Sequence, residues 1–224
     1  MKKLLLFVAV PLLFVLSACN NEDHEPKGPS DSNGYEYVDL GLSVKWAMCN
    51  VGATKPEAYG DYFSWGEIEP KDFYDSMTYK WLKSGIWELT KYCYDPAFGI
   101  VDNKNRLEIS DDAARANWGG SWRMPTKAEL KELLDKCEWI RTTQNGVDGY
   151  KVVSKKNKNS IFLPFAGSIA DAGLEDVGDC CLLWSSDIYE HNPEGASILF
   201  VGKGRIECDR NARYVGQSIR AVLP

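Results

Sequence analysis

Histidine is scarce in this chain, with two among 224 residues, His24 and His191. A Ser-His-Asp or Cys-His device in the body of the sequence would have to use His191. That residue lies in Tyr189-Glu190-His191-Asn192-Pro193-Glu194-Gly195, a polar turn bounded by Pro and Gly, and is expected to be an exposed loop histidine. Metal-ligand spacing is missing too: no Cys-x-x-Cys and no His-x-x-x-His occurs, so neither a metal nor a cofactor is expected. Gly-x-Ser-x-Gly, Walker and Gly-x-Gly-x-x-Gly patterns are absent, and no local signature marks a carboxylate pair for glycoside hydrolysis. There is no long basic run and the net charge is −6, so the phosphate-neutralising stripe on which nucleic-acid affinity rests is lacking. Beyond the first twenty residues no apolar stretch reaches the length of a spanning helix.

What is present is an ordinary globular composition, 44% apolar and 26% charged, which excludes disorder of the whole chain. Eight tryptophans and eleven tyrosines are a high aromatic load, and such side chains dominate cores and binding surfaces alike. Composition does not choose between those uses.

The N-terminus has its own logic. Lys2-Lys3 precede Leu4–Leu16, an apolar run interrupted only by Pro11. As a helix it would reach about 20 Å, short of the roughly 30 Å hydrocarbon core, which suits a signal sequence better than a membrane span. The tetrad Leu16-Ser17-Ala18-Cys19 resembles the bacterial lipobox, which implies a signal peptide over 1–18 and a diacylglycerol on Cys19; the alternative is a secreted protein cut near Ala18. Two or three acyl chains would hold the protein to membrane lipid far more firmly than one. Residues 20–34 carry no aliphatic or aromatic side chain, and 19–34 are expected to form a flexible tether. The folded domain is expected to span 35–224. Glu22-Asp23 resembles the export signal of surface lipoproteins, which implies display on the outer membrane's outer face.

Six further cysteines, Cys49, Cys93, Cys137, Cys180, Cys181 and Cys208, permit disulfides in an envelope protein, and the sequence selects no pairing.

Along the domain, Val44, Trp46 and Met48 alternate as in a strand, and Tyr59–Gly66 reads as a second short strand or a tight bend. From Glu67 to Ile109 the aromatics Trp81, Trp87, Tyr92, Tyr94 and Phe98 follow no sustained period, which predicts a long packed loop region, where binding sites often lie and where such rings more often form a hydrophobic under-layer. Ser110–Gly120 predicts a two-turn helix capped by Ser110 and stopped by Gly119-Gly120. Thr126-Lys127-Ala128-Glu129 is a capping box, and Leu130, Leu133, Leu134 and Cys137 extend its helix with one apolar stripe. Trp118–Leu130 is therefore a structural corner, a stop signal followed by a start signal. Arg123 is left over: it pairs with Asp111 or Asp112, or faces a ligand. Two hairpins are predicted, one over Tyr150–Leu163 with a lysine-bearing tip and one over Ala196–Cys208, and a last alternating segment ends at Leu223. Two helices followed by several short strands and long packed loops make a single α+β domain.

The blocks Tyr37–Ala47, Asn50–Ala53, Tyr59–Glu67, Asp111–Arg115, Trp118–Leu130, Asn159–Pro164, Trp184–Ser186 and Gly216–Arg220 resemble the Fibrobacter succinogenes major paralogous domain family, common in Bacteroidota lipoproteins. The resemblance covers nearly all of 35–224 and implies a C-type-lectin-like fold; it carries no catalytic residue over. Ala221 stands where family members often have proline, and Asp187 where a third serine is frequent. Calcium lectins of the wider fold use Glu-Pro-Asn or Gln-Pro-Asp followed by Trp-Asn-Asp; here Asn192-Pro193-Glu194 has no such sequel, so calcium-dependent sugar binding is not expected. The expectation is a tethered, non-enzymatic recognition or adhesion module for a glycan, matrix or surface-protein ligand, with Trp81, Trp87, Tyr92 and Arg123 as candidate ligand contacts. The alternatives are an envelope enzyme with unrecognised carboxylates or a cysteine, and a structural subunit of a pilus-like assembly.

Overall fold

The computed structural model describes residues 28–83, 88–202 and 204–224. Cys19, Trp87, the 1–18 segment and most of the expected tether lie outside the described residues. The elements are β1 (Tyr37–Val38), β2 (Lys45–Ala47), α1 (Ala113–Trp118), α2 (Lys127–Lys136), β3 (Cys137–Gln144), β4 (Val147–Ser154), β5 (Ser160–Pro164), β6 (Ser168–Ala170), β7 (Gly173–Glu175), β8 (Cys181–Ile188), β9 (Gly195–Gly202), β10 (Arg205–Ala212) and β11 (Val222–Leu223). All strand pairs are antiparallel: β1-β2-β11, β10-β9-β8, β3-β4-β5 and β6-β7. The domain thus consists of small antiparallel sheets with two helices. No described helix is long and apolar enough to cross a membrane.

The β8–β9 pair divides two hydrophobic cores, because successive strand side chains point to opposite faces. Leu182, Trp184 and Ile188 of β8, with Ala196 and Ile198 of β9, join a core containing Trp65, Trp118 and Trp122. Cys181 and Leu183, with Leu199 and Val201, join the other, which α2, β4 and β5 close with Leu130, Leu133, Val152 and Leu163. A strand covered on both faces needs no polar alternation, and β8 accordingly opens Cys-Leu-Leu-Trp from Cys181. That continuous run is why alternation does not mark it in the sequence. The β3–β4 turn is the Asn145-Gly146 pair, both at positive φ, as a two-residue hairpin requires.

Two arginines absent from the expected core lie inside it. Arg220 donates to Asn50 Oδ1 (2.9 Å), Ala47 O (3.1 Å) and Phe162 O (2.9 Å), tying β2 to β5. Burial pulls its pKa down to about 10, against weaker opposing effects of Cys49 and Cys181. Arg213 donates to Tyr79 Oη, Tyr92 O, Pro193 O and Lys91 O, and its guanidinium lies 4.8 Å from the Trp65 ring centroid. Backbone carbonyls thus take the place of counter-ions. The long 67–109 segment, whose described residues form no strand of the sheets above, is fastened partly in this way.

The corner forms as expected, with one difference. The helix cap is Asp112, whose side chain accepts from Arg115 N; Ser110 instead sits in a 3-10 turn, Ile109–Asp111. Gly119 (φ 68°) and Gly120 (φ 56°) make the reversal, and Trp118 and Trp122 meet edge to face at 5.0 Å. The polar segment before Tyr35 is also tied down. Asp31 Oδ2 accepts from Trp122 Nε1 (2.8 Å), Asn33 Nδ2 donates to Trp118 O (2.8 Å), and Ser30 bridges to Glu36. Ser30, Asp31 and Asn33 are held in this way because the corner's indole N–H and carbonyl find partners there.

All six described cysteines, Cys49, Cys93, Cys137, Cys180, Cys181 and Cys208, are free thiols. Burial pushes Cys181 up to about 12 and Cys137 and Cys180 up to about 11, which keeps them protonated and weakly nucleophilic.

Candidate functional site

Two of the residues expected to contact a ligand, Tyr92 and Trp81, pack into the protein. Tyr92 is fully buried; its hydroxyl donates to Asp111 Oδ2 (2.6 Å) and accepts from Glu108 N (3.0 Å), and burial followed by the Asp111 bond pushes its pKa up to about 12. It also holds a positive φ of 59°, a conformation that surrounding packing must enforce on a side chain this large. Trp81 is half-buried, with Nε1 donating to Gly66 O (3.0 Å). The Lys80 and Lys91 ammonium groups lie 4.3 and 4.9 Å from its ring centroid, and Tyr92 meets it edge-on at 5.9 Å. Two ammonium groups and an aromatic edge therefore already pack on that ring. Lys91 in turn lies 2.5 Å from both Glu108 and Asp111 carboxylates, so Trp81 roofs a closed ion cluster.

Arg123 pairs with neither Asp111 nor Asp112. Its Nη1 and Nη2 donate to Glu129 Oε2 (2.8 Å) and Oε1 (2.6 Å) in a bidentate pair. Glu129 is also the return arm of the capping box, accepting from Thr126 N (2.8 Å) while Thr126 Oγ1 accepts from Glu129 N (3.2 Å). Burial raises the Glu129 pKa, but Arg123 and the Thr126 amide together bring it below its ordinary value. Arg123 correspondingly rises, chiefly through its bond to Glu129.

The Trp118–Leu130 and Trp184–Ser186 blocks, some sixty residues apart, meet at the mouth of an open cleft. Ser186 N donates to Pro125 O (2.7 Å), Lys127 N to Asp187 Oδ2 (2.7 Å) and Leu107 N to Ser186 O (2.9 Å), so three segments converge on the start of α2. Across this junction Arg106 Nε reaches Asp187 Oδ1 at 2.5 Å. That ion pair is a waist. On one side lies a hollow of about 630 Å³ lined by Arg106, Arg115, Arg123, Thr126, Glu129 and Ile109, among others. On the other lies one of about 370 Å³ lined by Tyr94, Asn103, Asn105, Lys127, Asp187 and Glu190. Both volumes fall in the range of small-ligand sites.

The carboxylates of the wider hollow are already engaged. Asp112 accepts from Arg115 N (3.0 Å) and Met124 N (2.8 Å), and burial raises its pKa in spite of those bonds. The narrower hollow is more exposed: Asn103, Asn105, Arg106 and Glu190 are solvent-facing, and Lys127 Nζ bonds Glu190 (2.9 Å), which lowers the Glu190 pKa. Asn192-Pro193-Glu194 closes on itself, with Glu194 N donating to Asn192 Oδ1 (2.7 Å). Among the described residues no group of three His, Cys, Asp or Glu is placed to hold a metal ion.

Of the four expected contacts, then, only Arg123 lies at the cleft, and Trp87 lies outside the described residues. Arg106, Arg115, Asn105, Lys127 and Asp187 do not emerge from sequence reasoning. Asp187 leaves a trace there as the acid following Ser185-Ser186; Arg106 has none, because its place depends on how the 67–109 segment is threaded. Comparisons with protein-family models, with curated proteins and with solved structures found no match.

Proposed function

We propose that this chain is a lipid-anchored recognition module of the Fibrobacter succinogenes major paralogous type, with a C-type-lectin-like arrangement, displayed on the outer membrane through Cys19 and binding a glycan in the cleft at the Arg106–Asp187 waist. The observation that carries the reading is the cleft itself. Two open hollows of small-ligand size meet there, presenting carboxamides (Asn103, Asn105), hydroxyls (Thr126, Ser186) and the Tyr94 ring on a rigid helix–strand junction. Short polar donors and acceptors beside an aromatic edge suit a hydroxyl-rich ligand, since each sugar hydroxyl both donates and accepts. Non-enzymatic binding is the better-supported use. The cleft carboxylates Asp112, Glu129 and Asp187 are each taken up by backbone N–H groups or arginine, and the most buried cysteines are held protonated.

Two experiments test this. Glycan-array screening of the mature protein, followed by titration of the best ligand, should show binding that Asp187→Ala and Asn105→Ala weaken about tenfold and that Trp81→Phe leaves intact. Absence of any saccharide binding would sink the recognition reading. Protease shaving of intact cells, with mass spectrometry of the mature N-terminus, tests acylation at Cys19 and surface display.

A further inference from the structure

We propose that the wider hollow is a carboxylate site, in which Arg115 pairs with the acid group of a uronic- or sialic-acid-type saccharide; this rests on the glycan-binding reading above and names its ligand class. Three arginines line the hollow, and their partners differ. Arg106 is matched with Asp187 and Arg123 with Glu129. Arg115 has no carboxylate partner among the described residues. Its Nη1 donates to the Gly120 carbonyl, and its Nε is buried with no acceptor at all. Asp112, the nearest acid in sequence, directs its oxygens at backbone N–H groups of Arg115 and Met124 instead.

A cation with an orphaned donor is an unfavourable thing to hold at the wall of a hollow, because the desolvated guanidinium gains no compensating charge. A carboxylate entering the hollow supplies the missing charge and acceptors for the outer guanidinium nitrogens of Arg115, while the enclosed Nε stays out of a ligand's reach. The remaining wall suits the rest of such a ligand. Thr126 offers a hydroxyl, while the half-buried Leu107 and the exposed Ile109 offer apolar surface for the C–H face of a sugar ring. The domain's overall negative charge provides no long-range attraction for an acid, so discrimination must arise on contact at Arg115.

The test is isothermal titration of the mature protein with digalacturonate and 3′-sialyllactose, against neutral digalactose and lactose, and against N-acetylglutamate as a non-sugar carboxylate. The expected result is binding of at least one acidic sugar about tenfold or more above its neutral counterpart. Arg115→Gln should abolish that difference. Arg115→Lys should restore part of it, and raised salt should shrink it in the wild type. Ile109→Asp, at an exposed rim position, places a like charge at the mouth without touching the core and should also weaken the acidic ligand. Equal affinity for acidic and neutral sugars would overturn the carboxylate assignment while leaving glycan recognition standing. Equal binding of N-acetylglutamate and the acidic sugars would overturn the saccharide half of the proposal, and no binding of any acidic sugar at millimolar concentration would overturn it entirely.

Discussion

Removing the Glu129 carboxylate, as Glu129→Ala, should be among the most damaging single changes near the surface of this domain. One carboxylate there accepts from Thr126 N at the start of α2 and from both terminal nitrogens of Arg123. Loss of a helix-start cap costs about 1 kcal/mol. Loss of the charged bidentate bond, at side chains only 14% and 29% exposed, costs about 2 kcal/mol and leaves Arg123 without a counter-ion. The two losses together come to about 3 kcal/mol. For a domain of this size that is a fall of roughly 6–12 °C in Tm, read by tryptophan fluorescence on heating. A double-mutant cycle with Arg123→Ala should show coupling of about 1 kcal/mol or more. The acid limb should change as well. The folded-state pKa of Glu129 is lowered, so its contribution is complete above its ordinary 4.5 and is lost as pH falls through the lower folded value. The Ala variant should lose that part of the acid dependence, while Asp112, shifted the other way by burial, contributes the opposite slope in both proteins. A Glu129→Ala cost under about 0.5 kcal/mol, or strict additivity with Arg123→Ala, would refute this account.

Asp31→Ala should orphan the Trp122 indole N–H and cost about 1–2 kcal/mol in urea denaturation, and a chain cut to begin at Tyr35 should lose at least as much. Trp81→Ala should lower stability by about 3 kcal/mol in the same assay without altering saccharide titration, since its ring covers the Lys91 cluster and not the cleft. In non-reducing denaturant, titration with a thiol reagent should find Cys49, Cys93, Cys137, Cys180, Cys181 and Cys208 all reactive, whereas the native domain should expose chiefly the half-buried Cys49 and Cys208. Protection of any pair in denaturant would contradict the free-thiol arrangement.

The elements most legible in the sequence are those whose cause is local. The capping box at Thr126–Glu129 and the Gly119-Gly120 reversal use groups within a few residues of one another, so spacing suffices to place them. The hairpin β9–β10 shows through alternation and its glycine-bounded turn. Strand β8 was hidden because both its faces are covered. The Asn145-Gly146 turn carried a hairpin signal that the alternation around it did not draw attention to. The places of Trp81 and Tyr92 were open in the sequence for a different reason: an aromatic side chain has the same signature whether it faces solvent or core, and only the threading of 67–109 sets these rings beside lysines and carboxylates.

The sequence by itself determined the corner, the hairpins and the mixed α and β character, because each follows from backbone preferences and spacing along the chain. The tertiary structure alone decided that Arg213 and Arg220 are buried against carbonyls, that Arg123 belongs to Glu129, and that Arg106, Arg115 and Asp187 share one cleft. Charges choose partners by distance in space, and the distances here are closed by segments as much as 173 residues apart.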